Sequence, residues 1–312
     1  MKGKGKNVMI SLIVPCYNEE DILGLFLKKT IPILQNLNLS YEIVFVNDGS
    51  TDNTLNVLLK MKETYKQIRI LNFSRNFGKE AALTAGIEYA KGEAVIPIDA
   101  DLQHPPELIN IFVEKWKEGN HVVLGKRITR TGERPFKKFA THWFYLFQNK
   151  MSEIAIPEDI GDYRLMSRKV VDALLQLPEN QRFMKGIFAW VGFKTVTVEY
   201  SQQKRVTGQS SFNGWKLWNF ALEGITSFST VPLRIWLYMG MIIAFLSFFL
   251  ALFILIDTLV YGVVLPGYVS TILMILFLGG IQLIGIGILG EYIGRIYKEA
   301  KRRPIYIIEN EY

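Results

Sequence analysis

The stretch Ile96–Glu107, IPIDADLQHPPE, decides how the first part of this chain folds. An apolar strand ends at Ile98 and delivers Asp99 and Asp101 to its carboxyl end. Ligands of open α/β sheets bind at that edge. Neighbouring carboxylates repel each other unless a cation lies between them, and Mg²⁺ commonly binds one or two carboxylates together with substrate phosphates. Asp-x-Asp is also common in solvated turns, so the stretch indicates a metal–nucleotide site only together with further signals.

The first half of the chain alternates strand and helix patterns. Apolar runs predict strands at Met9–Val14, Tyr41–Val46, Ile68–Leu71, Ala94–Ile98 and His121–Leu124. Helices are predicted between them, at about Glu20–Leu37, Asp52–Tyr65, Lys79–Ala90 and Pro106–Lys117. This order predicts an α/β fold with a Rossmann-like, mostly parallel sheet covered by helices on both faces. Polar segments follow the first four strands, so one sheet edge should collect them into a site.

Two later segments predict membrane spans. Residues 235–256 and 271–290 are apolar and uncharged, and each is long enough to cross a hydrocarbon core of roughly 30 Å. The loop between them contains no Lys or Arg, whereas basic residues flank the pair on both sides. We therefore expect the protein in the inner membrane of the cell. The positive-inside rule then places both termini in the cytoplasm. A buried helix pair in a soluble protein is the alternative.

These segments predict the domain organisation. We expect residues 1–230 to form a cytoplasmic α/β domain, 231–294 a two-helix transmembrane domain, and 295–312 a basic cytoplasmic tail with a short strand. Aromatic residues at helical spacing predict helices lying in the membrane interface at about 139–151 and 215–230, with ordinary core helices as the alternative.

The net charge is +7, and a nucleic-acid binder is one interpretation of that value. Because two membrane spans are predicted, binding to anionic lipids and anionic substrates explains the positive net charge better. We therefore expect a membrane and small charged substrates as partners, and no nucleic acid. The glycine-rich second span also permits close helix contact, which favours a homo-oligomer.

Six motifs occur in a fixed order: SLIVPCYNEE, VNDGSTDNT, NFSRNFGKEAALTAGIEYAKGE, DADLQHPPE, IGDYRLMSR and RVTGQSSFN. Together they resemble the GT-A-fold, family 2 glycosyltransferases that load sugars onto polyprenyl phosphate. The similarity extends over about residues 8–300 and is greatest to the subgroup with two C-terminal spans, the GtrB-type bactoprenol glucosyltransferases, which are related to dolichol-phosphate mannose synthases.

The resemblance implies roles for particular residues. It implies Asp101 and Gln103 as ligands of Mg²⁺ or Mn²⁺. His104 stands where many relatives have Asp, and hard Mg²⁺ does not favour imidazole, so we expect a packed loop residue there. The residues implied in nucleotide-sugar binding are Pro15, Tyr17, Glu19, Asp48, Ser74, Asn76, Lys79, Asp99, Arg205 and Ser210.

On the acceptor side the resemblance implies Asp162, with Arg127 and Arg164 for the acceptor phosphate. Asp162 is often the catalytic base in this family. A phosphate monoester loses its second proton near pH 6, so the attacking oxygen is already largely anionic at neutral pH. Asp162 therefore either positions the phosphate or accepts a residual proton. Ser211 stands where relatives commonly have Lys, which removes one cation near the diphosphate.

The resulting prediction is an inverting transfer of a hexose, glucose in the first place, from a UDP-sugar to undecaprenyl or another polyprenyl phosphate, for cell-envelope glycan modification. Three other donors stay open: GDP-mannose, a UDP-aminoarabinose-type sugar and a UDP-N-acetylhexosamine. A membrane scaffold that binds a nucleotide sugar without turning it over is the alternative from a different class.

Overall fold

The computed structural model describes residues 9–128, 160–177, 179, 184–201, 231–261 and 267–312. Eight strands lie in these ranges: β1 Met9–Cys16, β2 Ser40–Asn47, β3 Ile68–Phe73, β4 Ala94–Pro97, β5 Val122–Arg127, β6 Ile160–Ser167, β7 Thr195–Tyr200 and β8 Ile308–Glu311. The helices of the same ranges are α1 Leu23–Asn36, α2 Thr54–Thr64, α3 Lys79–Tyr89, α4 Leu108–Lys117, α5 Arg168–Leu175, α6 Met184–Trp190, α7 Val231–Tyr261 and α8 Tyr268–Ala300.

All eight strands form one sheet in the order β7-β5-β6-β4-β1-β2-β3-β8. Strands β1 to β4 pair in parallel with their neighbours among the four, which confirms the predicted parallel arrangement and its shared carboxyl edge. Two strands run in the opposite direction. β6 is antiparallel to both β4 and β5, and β8 is antiparallel to β3. The sheet is therefore mixed.

Buried apolar side chains on both faces hold the helices to the sheet. Phe26 of α1 and Phe112 of α4 belong to the core on one face, together with Phe45 of β2. On the other face Met166 of β6 packs with Phe188 of α6. Strands covered on both faces must be apolar almost throughout, which is why β1 and β2 read as continuous hydrophobic runs.

The two apolar segments near the C-terminus form the long helices α7 and α8, which contain the predicted spans 235–256 and 271–290. Within the described ranges, one helical segment, Phe277–Ala300, is long and apolar enough to cross a membrane. The apolar stretch Ile235–Leu250 of α7 is shorter. Helix α8 continues to Ala300, beyond the predicted end of the transmembrane domain at residue 294.

After α8 the chain returns to the sheet and adds β8 to its edge. The Tyr306 ring stacks on Phe73 of β3, with centroids 5.1 Å apart and an angle of 8° between the rings. Its hydroxyl donates a hydrogen bond to Glu88. Arg69 joins Glu311 at 2.6 Å. The strand expected in the basic tail is therefore present, and it is a component of the same sheet that carries β1 to β4.

Candidate active site

The turn after β4 presents the two carboxylates of the Asp-x-Asp motif. Leu102 has a φ of 57°, a left-handed conformation that is uncommon for a bulky residue, while its side chain lies in the core. The Gln103 N–H donates to Asp101 Oδ1 at 3.1 Å and closes the turn. A buried anchor and a strained backbone together fix the direction of Asp101, as strained residues commonly do at functional sites.

Lys79, the first residue of α3, joins a carboxylate from the turn after β4 to one from β6. Its Nζ lies 2.7 Å from Asp99 Oδ1 and 3.0 Å from Asp162 Oδ2. Burial disfavours the charge on Lys79, but Asp99 and Asp162 outweigh it and raise the pKa of the ammonium above its ordinary value. Lys79 is therefore a cation held in a half-exposed position between two acidic groups, where a diphosphate can reach it.

The antiparallel direction of β6 explains why Asp162 belongs to this edge. β6 lies between β4 and β5, and its first residues stand beside the last residues of β5, with Ile160 paired to Lys126. An Arg127 amino nitrogen lies 3.3 Å from the point that a Cβ on Gly161 would occupy. Glycine at 161 thus leaves room for the guanidinium beside the start of β6. The structure brings Arg127 and Asp162 to one place.

Arg164 is more deeply buried than its predicted role in binding the acceptor phosphate requires. Its side chain is buried, donates to the Gly161 carbonyl at 2.7 Å, and stacks its guanidinium 4.0 Å above the Phe188 ring. Burial lowers the pKa of Arg164 to about 10, and Asp162 opposes that shift. This environment suits a residue that supports β6 from behind and holds Asp162 in place, rather than one in direct contact with a lipid phosphate.

The turn after β2 contains Asp48, which is predicted to bind the nucleotide sugar. Asp48 accepts the Phe77 and Gly78 N–H groups at 2.7 and 2.9 Å, so it ties this turn to the loop before α3. Burial raises the pKa of Asp48, and the two N–H donors oppose that shift. Gly49 has a φ of 60°, and its lack of a side chain lets the Arg75 backbone lie against it. A Cβ at position 49 would lie 2.3 Å from the Arg75 carbonyl carbon.

The turns after β1 and β2 interlock through side-chain bonds to backbone groups. Asn18 accepts the Thr51 N–H at 2.8 Å and its own N–H donates to Ser50 Oγ at 3.0 Å. The Glu19 N–H donates to Thr54 Oγ1 at 2.9 Å. Tyr17 between these turns is 46% exposed, which leaves its ring free to pack against a planar base.

The other residues predicted to bind the nucleotide sugar are divided between this edge and the parts of the chain outside the described ranges. Pro15 lies in β1 beside Val46, and Ser74 and Asn76 are exposed in the loop after β3. Arg205, Ser210 and Ser211 lie outside the described residues, as do both predicted interfacial helices.

His104 and Tyr200 form a buried pair that the sequence did not reveal. His104 Nδ1 lies 2.6 Å from the Tyr200 hydroxyl, and its Nε2 lies 3.8 Å from Asp99 Oδ2. The imidazole also packs against the Tyr163 ring. Burial lowers the pKa of His104 and raises the pKa of Tyr200 to about 12. A neutral imidazole can accept a hydrogen bond from the Tyr200 hydroxyl at Nδ1 and present Nε2–H toward Asp99.

Replacing Tyr200 with phenylalanine removes this hydrogen bond without removing the ring. We expect the free energy of unfolding to fall by about 1 kcal/mol, because His104 Nδ1 loses its buried partner. Turnover should fall much less than after a change in the carboxylates. Thermal unfolding in detergent measures the first effect, and Tyr89→Phe, at the far end of α3, serves as the control. Equal melting temperatures for both variants would show that the bond adds nothing.

The side chains at this edge would fill only part of the coordination shell of a divalent metal. Among the described residues, no three or more His, Cys, Asp and Glu side chains are grouped closely enough to hold a metal ion. Asp101 and Gln103 nevertheless supply the hard oxygen atoms that Mg²⁺ and Mn²⁺ prefer, and Asp99 stands beside them. Mg²⁺ typically completes such a shell with substrate phosphates and water. The donor set therefore fits a metal that arrives with, or is completed by, a nucleotide diphosphate.

Comparison with known families agrees with this geometry. Residues 11–175 match the family described as Glycosyl transferase family 2, and residues 231–296 match the GtrB C-terminal hairpin. The chain therefore belongs to glycosyltransferase family 2 and is a glycosyltransferase. The hairpin match covers α7 and most of α8.

Individual relatives are similar over nearly their whole length. The bactoprenol glucosyl transferase of Shigella phage SfV is 53% identical over 97% of this chain and 98% of its own. The prophage bactoprenol glucosyl transferase homolog of Escherichia coli K12 is 50% identical over 96% and 98% of the two chains. Among solved structures, mannosyl-3-phosphoglycerate synthase from Rubrobacter xylanophilus aligns with a TM-score of 0.48 and 16% identity, over 69% of this chain and 71% of that one.

Proposed function

We propose that the protein transfers glucose from UDP-glucose to undecaprenyl phosphate in the cytoplasmic membrane, giving a lipid-linked sugar for modification of a cell-envelope glycan. The observation that carries this proposal is the similarity to bactoprenol glucosyl transferases across both the catalytic domain and the hairpin. The carboxyl edge of the sheet supports it, because Asp99, Asp101, Asp162 and Lys79 converge there.

In this proposal the donor lies along the edge from β2 to β4. The uridine would contact Pro15, Tyr17 and Glu19, beside the turn that Asp48 holds. Its diphosphate would meet Lys79, Ser74 and Asn76 at the start of α3, with Arg205 and Ser210 from the segment outside the described residues. Asp99 would contact the sugar end. The support for this placement is the interlocked geometry of these loops and the position of Lys79.

Asp101 and Gln103 would hold Mg²⁺ or Mn²⁺ together with the donor diphosphate. A bound metal supplies neutralisation of the charge that develops on the leaving diphosphate. Removing it with EDTA is expected to abolish transfer, and added Mg²⁺ or Mn²⁺ should restore it. Transfer that continues at the same rate in EDTA would contradict the metal assignment.

The acceptor would approach from the Arg127 side. Its phosphate oxygen attacks the anomeric carbon, the bond from that carbon to the UDP oxygen breaks, and the configuration inverts. Arg127 would bind the phosphate, while Asp162 orients it or takes any residual proton, and Arg164 holds Asp162 from behind. Charged groups that are already fixed in place supply most of the rate in such a transfer.

The membrane arrangement belongs to the same proposal. Spans at 235–256 and 271–290, with both termini in the cytoplasm, would keep residues 1–230 where UDP-sugars are available. Interfacial helices at about 139–151 and 215–230 would bring the edge of the sheet to the lipid phosphate, and residues 295–312 would return to the sheet. The long apolar helices α7 and α8 and the hairpin match support this arrangement. A homo-oligomer stays a prediction.

The test uses membranes that contain the protein, undecaprenyl phosphate, Mg²⁺ and a panel of labelled nucleotide sugars. We expect label from UDP-glucose to enter the organic phase only when lipid phosphate is present. Label from another donor would replace glucose and keep the reaction. UDP binding without transfer from any donor would contradict the proposed reaction and favour the scaffold.

A further inference from the structure

A line of hydrogen bonds connects the last strand of the chain with the turns after β2 and β1, and its central bond, between Asn47 and Asn72, is buried. Glu309 Oε2 accepts the Asn72 side-chain amide at 2.9 Å. Asn72 Oδ1 in turn accepts Asn47 Nδ2 at 2.7 Å. Asn47 Oδ1 accepts the Ser50 hydroxyl at 2.5 Å, and Ser50 Oγ accepts the Asn18 N–H at 3.0 Å. The line therefore runs from β8 through β3 and β2 to the turn after β1.

All donors in this line point the same way. Each group accepts one hydrogen bond and donates the next toward the Glu309 carboxylate, so every bond polarises its neighbours. Asn47 and Asn72 are buried, with 2% and 5% exposure, whereas Glu309 is exposed on the edge strand β8. A carboxylate at the end of such a line sets the orientation of both side-chain amides.

We propose that Glu309 is a positioning residue of the donor site: the strand that follows the membrane hairpin fixes the Asn47–Ser50 turn, and with it the nucleotide side of the active edge. Asp48 lies inside that turn and Asn18 stands beside Tyr17. Residues 301–307 connect α8 directly to β8, so the segment leaving the hairpin completes the framework of the site. The nucleotide readout rests on the function proposed above, whereas the effect on the turn does not.

The chain offers a matched control on the same strand. Glu311 also pairs through its carboxylate with a β3 side chain, but its partner is Arg69, at 2.6 Å. Arg69 continues to Glu42 and the Tyr89 carbonyl, away from the Asn47 turn. Glu309→Ala and Glu311→Ala thus remove a carboxylate from the same edge strand, and only the first interrupts the line. Glu309→Gln keeps an acceptor oxygen for Asn72 and serves as the rescue variant.

The primary measurement is amide hydrogen exchange of the whole protein in detergent. We expect amides of residues 47–52 to exchange about tenfold faster in Glu309→Ala, with little change in Glu311→Ala and Glu309→Gln. General loosening of the edge would accelerate exchange equally in both alanine variants, and that result would overturn the proposal. Unchanged exchange of residues 47–52 in Glu309→Ala would overturn it as well.

The second measurement is the dissociation constant of UDP, with turnover at saturating donor. Glu309→Ala should weaken UDP binding about three- to tenfold and leave kcat nearly unchanged, because no reacting atom has moved. The Glu311→Ala protein should bind like the parent. If the parent protein binds no UDP, the proposed donor fails, and the exchange comparison still decides the role of Glu309.

Discussion

Replacing Asp101 with asparagine is expected to reduce glucosyl transfer at least about 100-fold, which corresponds to about 2.7 kcal/mol of transition-state stabilisation. Asparagine keeps a side-chain oxygen that can accept the Gln103 N–H, so the turn at Leu102 should keep its shape. The variant loses the negative charge that holds a divalent ion against the leaving diphosphate. Initial rates of label transfer from UDP-glucose, at saturating donor and acceptor, measure the loss.

The variant must be compared with one that removes a carboxylate elsewhere. Asp21→Asn changes an exposed carboxylate shortly before α1 and should leave the rate unchanged. Melting temperatures of the two variants should agree with the parent, which separates lost chemistry from lost folding. A rate within about threefold of the parent in Asp101→Asn would end the assignment of Asp101 as a metal ligand.

The parallel part of the fold could be predicted because its signals are local. Apolar runs such as those of β1 and β2 are buried on both faces, and each ends in a polar segment at the same sheet edge. Four strands in succession end in this way, so the sequence alone predicts a site at this edge. The structure confirms this edge, although the roles of its individual residues stay predictions.

The rest of the fold and of the site depends on strand pairing and side-chain contacts between distant parts of the chain. β6 carries Asp162, but its sequence does not show that it enters between β4 and β5 in the opposite direction. The pairing of β8 with β3 brings together segments on either side of the membrane hairpin. Similarly, the sequence predicts a packed loop residue at His104, but its partner Tyr200 lies 96 residues further along the chain. No local sequence pattern predicts such contacts.

The ion pairs of Lys79 also join distant parts of the chain, so local sequence patterns do not predict them. These ion pairs determine the charge of the site before a donor binds. The sequence placed Lys79 near a diphosphate, but only the folded sheet shows it between Asp99 and Asp162. In that position the ammonium offsets part of the charge of two carboxylates that would otherwise repel each other and an incoming diphosphate more strongly. The same cation can then bind the diphosphate, since its side chain is about half exposed.

Lys79→Met, which keeps most of the stem and removes the charge, is therefore expected to lower kcat/KM for UDP-glucose about 100-fold or more. Asp99 and Asp162 would face the donor diphosphate without the positive charge that lies between them, so UDP affinity should fall with turnover. Binding of Mn²⁺ in the absence of nucleotide should not fall, because Lys79 repels a second cation at the Asp99 carboxylate. Lys79→Arg keeps the charge and should recover part of the activity.

An exposed lysine of α1 provides the control, since Lys28→Met removes one positive charge without touching the edge of the sheet. It should leave kcat/KM unchanged, and so exclude net charge as the cause. The sign of the Mn²⁺ effect is the sharper criterion. A variant that loses metal affinity and turnover together would indicate that Lys79 supports the fold of the turn after β4. Lost turnover with metal affinity kept or increased would identify Lys79 as the cation that receives the donor diphosphate.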